Sequence, residues 1–137
     1  MALVLCNGGK VALLNAKKNF LITLKIGLYQ NNHSPSATDT IADYTPCSFD
    51  GYASQLVNSW GNAFLNAQGK AETDEQVHTW TATGGSVANQ VFGYYIFDGG
   101  NNLIYAELNP SGPFLIDAAG KSFSVQPRLT ETTDPNP

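Results

Sequence analysis

Two carboxylates around one turn offer the most suggestive chemistry in the sequence. Asp98 opens the run Asp98-Gly-Gly-Asn-Asn102, and Glu107 lies on the segment that returns from it. Glycoside cleavage needs two carboxyl groups flanking a sugar, one of them with a raised pKa. Asp98 beside the turn and Glu107 several residues down the returning strand make a poor facing pair. The residue types fit an Asx-type turn at Asp98 and a solvent-facing strand position at Glu107 better. The same run invites calcium but lacks the further carboxylates of a stable oxygen cage. Nucleophilic chemistry would join Cys6 or Cys47 to His33 or His78, yet no Cys or Ser stands in a G-x-S-x-G elbow. The two histidines are 45 residues apart with no third ligand at metal spacing. His33 is therefore expected in an exposed loop and His78 packed on a strand or at an interface. Asp74-Glu75 reads as a solvated turn. No catalytic, cofactor-binding or metal-ligating residue emerges, so the expectation is a protein that binds or assembles and is no enzyme.

The aromatic residues are the other chemical resource. Tyr29, Tyr44, Tyr52, Trp60, Trp80, Tyr94, Tyr95 and Tyr105 supply rings with one polar handle each, suited to core filling, interface anchoring or stacking on sugars. Tyr44, in a long polar loop, and whichever of Tyr94 and Tyr95 faces outward are the positions expected to be exposed.

The elements that must position these residues are short and mostly β. The chain has 137 residues, 42% of them hydrophobic, which suits one core. Only 13% are charged, about half of ordinary usage. A helix is expected within residues 10–19, where Val11 and Leu14 share a face and Lys17 and Lys18 suit a last turn. Phe20 to Tyr29 alternates as a strand, and residues 30–46, broken by Pro35 and Pro46, form a long loop. Cys47 to Trp60 holds one or two strands, with Phe49, Tyr52, Leu56, Val57 and Trp60 as core positions. Val77 to Ala82 is a strand ending at Gly84-Gly85, and Gln90 to Phe97, apolar on both faces, is the expected central strand. It pairs through Asp98–Asn102 with Leu103–Leu108 as a hairpin. Phe114–Ile116 and Ser122–Leu129 complete a second two-strand unit. About seven short antiparallel strands point to an all-β domain, a compact sandwich or barrel with a short N-terminal helix. The expected organisation is an N-terminal arm at 1–19, a β domain at 20–129 and a loose tail at 130–137.

The charge is uneven. The net charge is −4, with residues 1–38 at +4 and the remainder at −8. The acidic balance opposes binding to nucleic acid or to anionic membranes. The lysines suggest an arm that seeks an acidic neighbour. Two cysteines at this spacing read as free thiols. No stretch reaches the length of a membrane span, and the opening six residues lack the features of a secretion signal, so synthesis in a cytoplasm is expected.

The order of these segments resembles a family of small virion proteins of tailed bacteriophages. The resemblance is carried by a short N-terminal helix ending in Leu24-Lys-Ile-Gly-Leu-Tyr-Gln-Asn-Asn-His-Ser-Pro35. After it come Phe49-Asp-Gly-Tyr52, Trp60-Gly61, Val91-Phe-Gly-Tyr-Tyr-Ile-Phe-Asp-Gly99 and Leu103-Ile-Tyr-Ala-Glu107. These motifs mark strands and turns and transfer no site residues. The resemblance implies a virion structural protein on the capsid exterior, made in the bacterial cytoplasm. Its leading role would be a decoration or cement protein that binds between major capsid protein subunits and stabilises the head, itself a dimer or trimer. On that reading Lys10, Leu14, Lys17 and Lys18 would dock the arm, and His33 and Tyr44 would form a second contact from the loop. The alternative is a tail, baseplate or fibre component that meets the host through a sugar-binding face.

Overall fold

The structure, a computed structural model, describes residues 3–131. Within these the chain forms two compact units, one from residues 3–22, 57–77 and 126–131, the other from 23–56 and 78–125. The all-β class is as expected, with eleven strands among the described residues where about seven were foreseen, and one N-terminal α-helix.

The first unit packs helix α1 (Asn7–Leu21) against the antiparallel strands β3 (Phe64–Leu65), β4 (Ala71–Asp74) and β11 (Arg128–Thr130), ordered β11-β4-β3. Leu14 and Leu21, two turns apart, place one stripe of α1 wholly out of solvent. Leu14 meets Ala63 and Ala71, with Val11 and Leu129 packed beside them. Burying a leucine in this way stabilises by about 1.5–3 kcal/mol. Helical periodicity thus extends through Leu21 and overrides the strand alternation that begins at Phe20; the strand starts only at Leu24. The N-cap Cys6 makes no side-chain capping bond to the helix, while Ile22 N–H closes the far end on Lys18 O. Of the N-terminal segment expected as an arm, 1–19, the described residues 3–19 are therefore part of a packed unit. Thr130, assigned to the loose tail, lies in β11 opposite Glu72. The rest of that expected tail, from residue 132, lies outside the described residues.

The β3–β4 hairpin went unseen in the sequence, and β11 was foreseen only as the end of a strand from Ser122 to Leu129. Asn66 builds the turn: its Oδ1 accepts from the N–H groups of Gln68 and Lys70, and Gly69 takes the left-handed φ of +72°. The expected Ser122–Leu129 strand divides because Pro127 cannot donate to a ladder, leaving β10 (Ser122–Val125) in one unit and β11 in the other.

The second unit contains a four-stranded sheet ordered β2-β1-β7-β8, formed by β2 (Gln55–Val57), β1 (Leu24–Tyr29), β7 (Gly93–Phe97) and β8 (Leu103–Leu108). The chain passes to the first unit at Val57. The expected central strand Gln90–Phe97 is interrupted at Phe92, its first part entering β6 of another sheet; the remainder, β7, is internal and forms the expected hairpin with β8 through the Asp98 turn. Gly93 is required there, since a Cβ would stand 2.2 Å from Glu107 O and 2.8 Å from the Tyr29 ring. Two ladders accompany the sheet: β5 (His78–Thr81) with β10, and β6 (Asn89–Val91) with β9 (Phe114–Ile116). Hence Phe114–Ile116 and Ser122–Val125 do not pair with each other as foreseen, and the turn after Asp117 passes between different sheets. Phe49, Val57 and Trp60 are buried as expected, but Leu56 is 55% exposed.

Candidate functional site

Helix α1 carries a second, outward stripe. Leu13 and Phe20, seven residues apart, are about half exposed, and Leu3, Val4, Leu5 and Ile22 add apolar surface at the helix ends. A hollow of about 330 Å³ lies along the helix, walled by Leu5, Leu13, Leu14 and Ala16 and bordered by Lys10, Lys17 and Glu131. Of the lysines singled out by sequence, Lys10 and Lys17 border this surface and Lys18 does not, and each of the three already has a partner. Lys10 Nζ donates to Asn7 Oδ1 (3.1 Å) and Gly69 O (3.3 Å), Lys17 is ion-paired with Glu131, and Lys18 reaches Asn62 Oδ1 at 3.4 Å. Such surface pairs are worth only about 0–1 kcal/mol and can be exchanged for a partner's groups. Leu14 cannot serve as a docking residue in the folded chain, because it is fully buried against Ala63 and Ala71. The neighbouring Leu13 is the exposed one.

The loop from Gln30 to Pro46 is built inward. Its short 3-10 turn (Ile41–Asp43) is started by a reciprocal cap between Thr40 and Asp43. Tyr44, expected to be exposed, is only 3% so. Its ring stacks on Tyr95 at 5.6 Å and meets the edges of Tyr29 at 4.9 Å and His33 at 5.1 Å. An amphipathic ring over an apolar sheet face gains more from burial than from solvent once its hydroxyl has an acceptor. That acceptor is Asp39. Its Oδ2 accepts from Tyr44 OH (2.7 Å), from Ser36 N–H (2.8 Å) and from His33 Nε2 (2.8 Å). His33 is consequently half-buried rather than a free loop residue. These bonds, the Tyr44 hydroxyl first and His33 next, hold the Asp39 carboxyl below the usual carboxylate range. Burial, helped by the Asp39 charge, pushes Tyr29 up to about 12.

The other titratable residues fall into place around turns and strands. Asp98 accepts from the N–H groups of Gly100 and Asn102 and from Asn102 Nδ2, an Asx turn as expected, and Glu107 is exposed on β8 and accepts from Tyr94 OH at 3.0 Å. Both cysteines are free; Cys6 is exposed, and burial pushes the Cys47 thiol up to about 12. His78 is packed on β5 with Nδ1 2.9 Å from Gln55 Oε1. Asp74-Glu75 is not the solvated turn expected. Asp74 ends β4, and Glu75 is buried, accepting the Ser59 N–H on both carboxylate oxygens at 3.1 and 3.0 Å. Desolvation and the neighbouring Glu72 raise the Asp74 pKa. Among the described residues no three His, Cys, Asp or Glu side chains gather as a metal site.

Sequence reasoning gave Asp39 no role and placed Glu75 in a solvated turn. The spacing Thr40-x-x-Asp43 was the available sign that the loop is ordered and that residues next to it are held. Comparison of the chain with models of known protein families, with curated proteins and with solved structures finds no match.

Proposed function

We propose that this chain is a structural protein of a tailed-bacteriophage virion, a decoration or cement protein that binds major capsid protein on the head exterior. The observation that supports a docking role is the outward apolar stripe of α1, Leu13 and Phe20 with Leu5 at one end and Ile22 at the other, bordered by lysines on an otherwise acidic chain. Apolar surface with a polar rim is the usual make-up of a protein-binding patch, and Lys10 and Lys17, against the single acid Glu131, favour an acidic partner surface. The phage assignment itself rests on the resemblance of the segment order. The residues that dock are then Leu13, Phe20, Lys10 and Lys17 on one helix face, in place of a detached arm; Lys18, about 140–160° round the helix from Leu13 and Phe20, lies on the other side of the buried stripe.

Mass spectrometry of separated heads and tails from purified particles tests the reading. Recovery with heads alone supports it, and recovery with tails assigns the chain to the tail or baseplate.

A further inference from the structure

The four-stranded sheet ends at β8, which pairs with β7 on one side and with no strand on the other. Among the described residues it is the longest open sheet edge, Leu103-Ile-Tyr-Ala-Glu-Leu108, with neither proline nor lysine to blunt it and Glu107 as its single charge. An edge of this kind offers a row of backbone N–H and C=O groups to another strand unless it is shortened, charged or covered. Loop residues 35–39 stand off from residues 103–106 across a cleft of about 340 Å³.

The hairpin ladder shows which groups are open. Asp98 N–H donates to Asn102 O at one end, and Asn109 N–H donates to Phe92 O at the other. Alternate residues of a strand turn their backbone groups to the same neighbour, and the register sets Ile96 against Tyr105 and Tyr94 against Glu107. Tyr105 and Glu107 therefore bond to β7, whereas Ala106 and Leu108 turn N–H and C=O outward, where no group among the described residues meets them.

The strand is also complementary to itself. Two copies of β8 running antiparallel about a two-fold axis at Ala106 exchange the N–H and C=O of that residue, and place Ile104 opposite Leu108 and Tyr105 opposite Glu107, each twice. The small Ala106 then lies at the axis, an apolar pair flanks it, and a phenol hydroxyl faces the one carboxylate. Glu107 is exposed and meets Tyr94 OH through Oε2, so Oε1 is left for the second copy. An axis at Glu107 would instead oppose two carboxylates. A foreign strand would have to carry its own match to Tyr105 and Glu107; a second copy supplies it by symmetry.

We propose that the β8 edge is a self-association surface, on which β8 of a second copy adds antiparallel about Ala106 and joins the two four-stranded sheets into one. The contact uses the backbone and side chains of β8 and depends neither on the virion reading nor on the α1 stripe.

Sedimentation velocity of the purified full chain over a range of concentrations, with amide hydrogen exchange at both ends of the range, tests this. A single strand pair is a small interface, so the mass should rise from one chain to two between about 10 μM and 1 mM. Exchange of the Ala106 and Leu108 amides should slow with that rise, while α1 amides are unaffected. Ala106→Pro removes an N–H that faces outward, which an edge strand accepts, and should leave a folded monomer by circular dichroism. Should that change disturb the fold, Leu108→Lys decides: it sets a lysine on the edge from a position 39% exposed and should weaken association by about tenfold or more. A chain that stays monomeric to about 1 mM overturns the proposal and leaves the edge to a strand of another protein or to none. A doubling that protects α1 instead of β8, or that survives Leu108→Lys undiminished, overturns it as well.

Discussion

The hydroxyl of Tyr44 donates to Asp39 Oδ2 at 2.7 Å from within a ring cluster that includes Tyr29 and Tyr95, so the segment from Asp39 to Tyr44 closes on itself over the sheet. The two halves of this interaction separate by mutation. Tyr44→Phe keeps the ring and removes the donor; the Asp39 pKa should rise toward its ordinary value, since this bond is the first cause of its depression. Tyr44→Ala also removes the stacking on Tyr95 and should cost about 3–5 kcal/mol. Carboxyl shifts followed against pH, and denaturant unfolding, check the two outcomes. An unchanged Asp39 titration in Tyr44→Phe would show that the bond does not form.

Acid should destabilise the fold through the same group and three like it. Asp39, Asp50, Asp98 and Asp117 all have lowered pKa values, through Tyr44, Ser86, Asn102 and Lys121 respectively. Each binds its proton less readily folded than unfolded, where the value is about 3.9. Their contribution is therefore complete above about pH 4 and is lost as pH falls through the folded values. Melting temperature should be level from pH 7 to 5 and fall steeply below about 4, and Asp39→Asn should make that fall shallower. A melting temperature independent of pH down to 2 would contradict the hydrogen bonds described.

Asp74 has the opposite sign. Burial and Glu72 raise its pKa, and its Oδ1 has no hydrogen-bond partner among the described residues, with Arg128 Nε 3.7 Å away. The folded chain favours the protonated form, so that stability is present at low pH and is lost as pH rises through the raised value. Asp74→Asn should raise stability at pH 7, by about 0.5 kcal/mol given its partial exposure and the Arg128 counter-charge, and give no gain near pH 3. Thermal melts of the two proteins at both pH values decide it.

The strands that sequence made legible are those whose alternation is uninterrupted and whose turn is explicit. The β7–β8 hairpin around Asp98-Gly-Gly-Asn-Asn102 and the buried face of Leu24, Ile26 and Leu28 are of this kind. β4 was not legible because Ala71-Glu-Thr-Asp74 is half acidic; its acids sit at half-buried positions while Ala71 and Thr73 face inward. Neither was the choice of partners, since β6 with β9 and β5 with β10 are set by packing between distant segments. At the candidate surfaces, the lysines of α1 were found from charge asymmetry, but periodicity alone could not say that Leu14 points inward and Leu13 outward. Asp39 was invisible because its importance comes from three donors brought together by the folded loop.

Removing residues 1–19 should not leave the remainder intact. Leu14 fills the space against Ala63 and Ala71, so its loss exposes the inner side of β4. Leu14→Ala should destabilise the unit formed by 3–22, 57–77 and 126–131 by about 2–5 kcal/mol, whereas Leu13→Ala should cost under about 0.5 kcal/mol. Native-state hydrogen exchange reads each unit by itself: amides of β3, β4 and β11 should lose protection in Leu14→Ala while those of β1, β7 and β8 keep theirs. Equal loss in both would mean that the units do not unfold separately.

The docking stripe can be broken without touching that core. Leu13 and Phe20 are 56% and 49% exposed, so replacing both by Glu places charge in solvent and leaves Leu14 and Leu21 where they are. A carboxylate in an apolar contact is costly to bury, and two of them beside Lys10 and Lys17 also reverse the local charge. The Leu13→Glu, Phe20→Glu chain should keep its circular dichroism and melting temperature within about 2 °C, as expected for exposed positions away from the core. Its attachment to heads lacking the native protein should be lost, measured by co-sedimentation. Attachment that persists in the folded double variant would remove the α1 stripe as the docking surface, and attachment lost only together with the fold would leave Lys10→Glu with Lys17→Glu to decide between charge and burial.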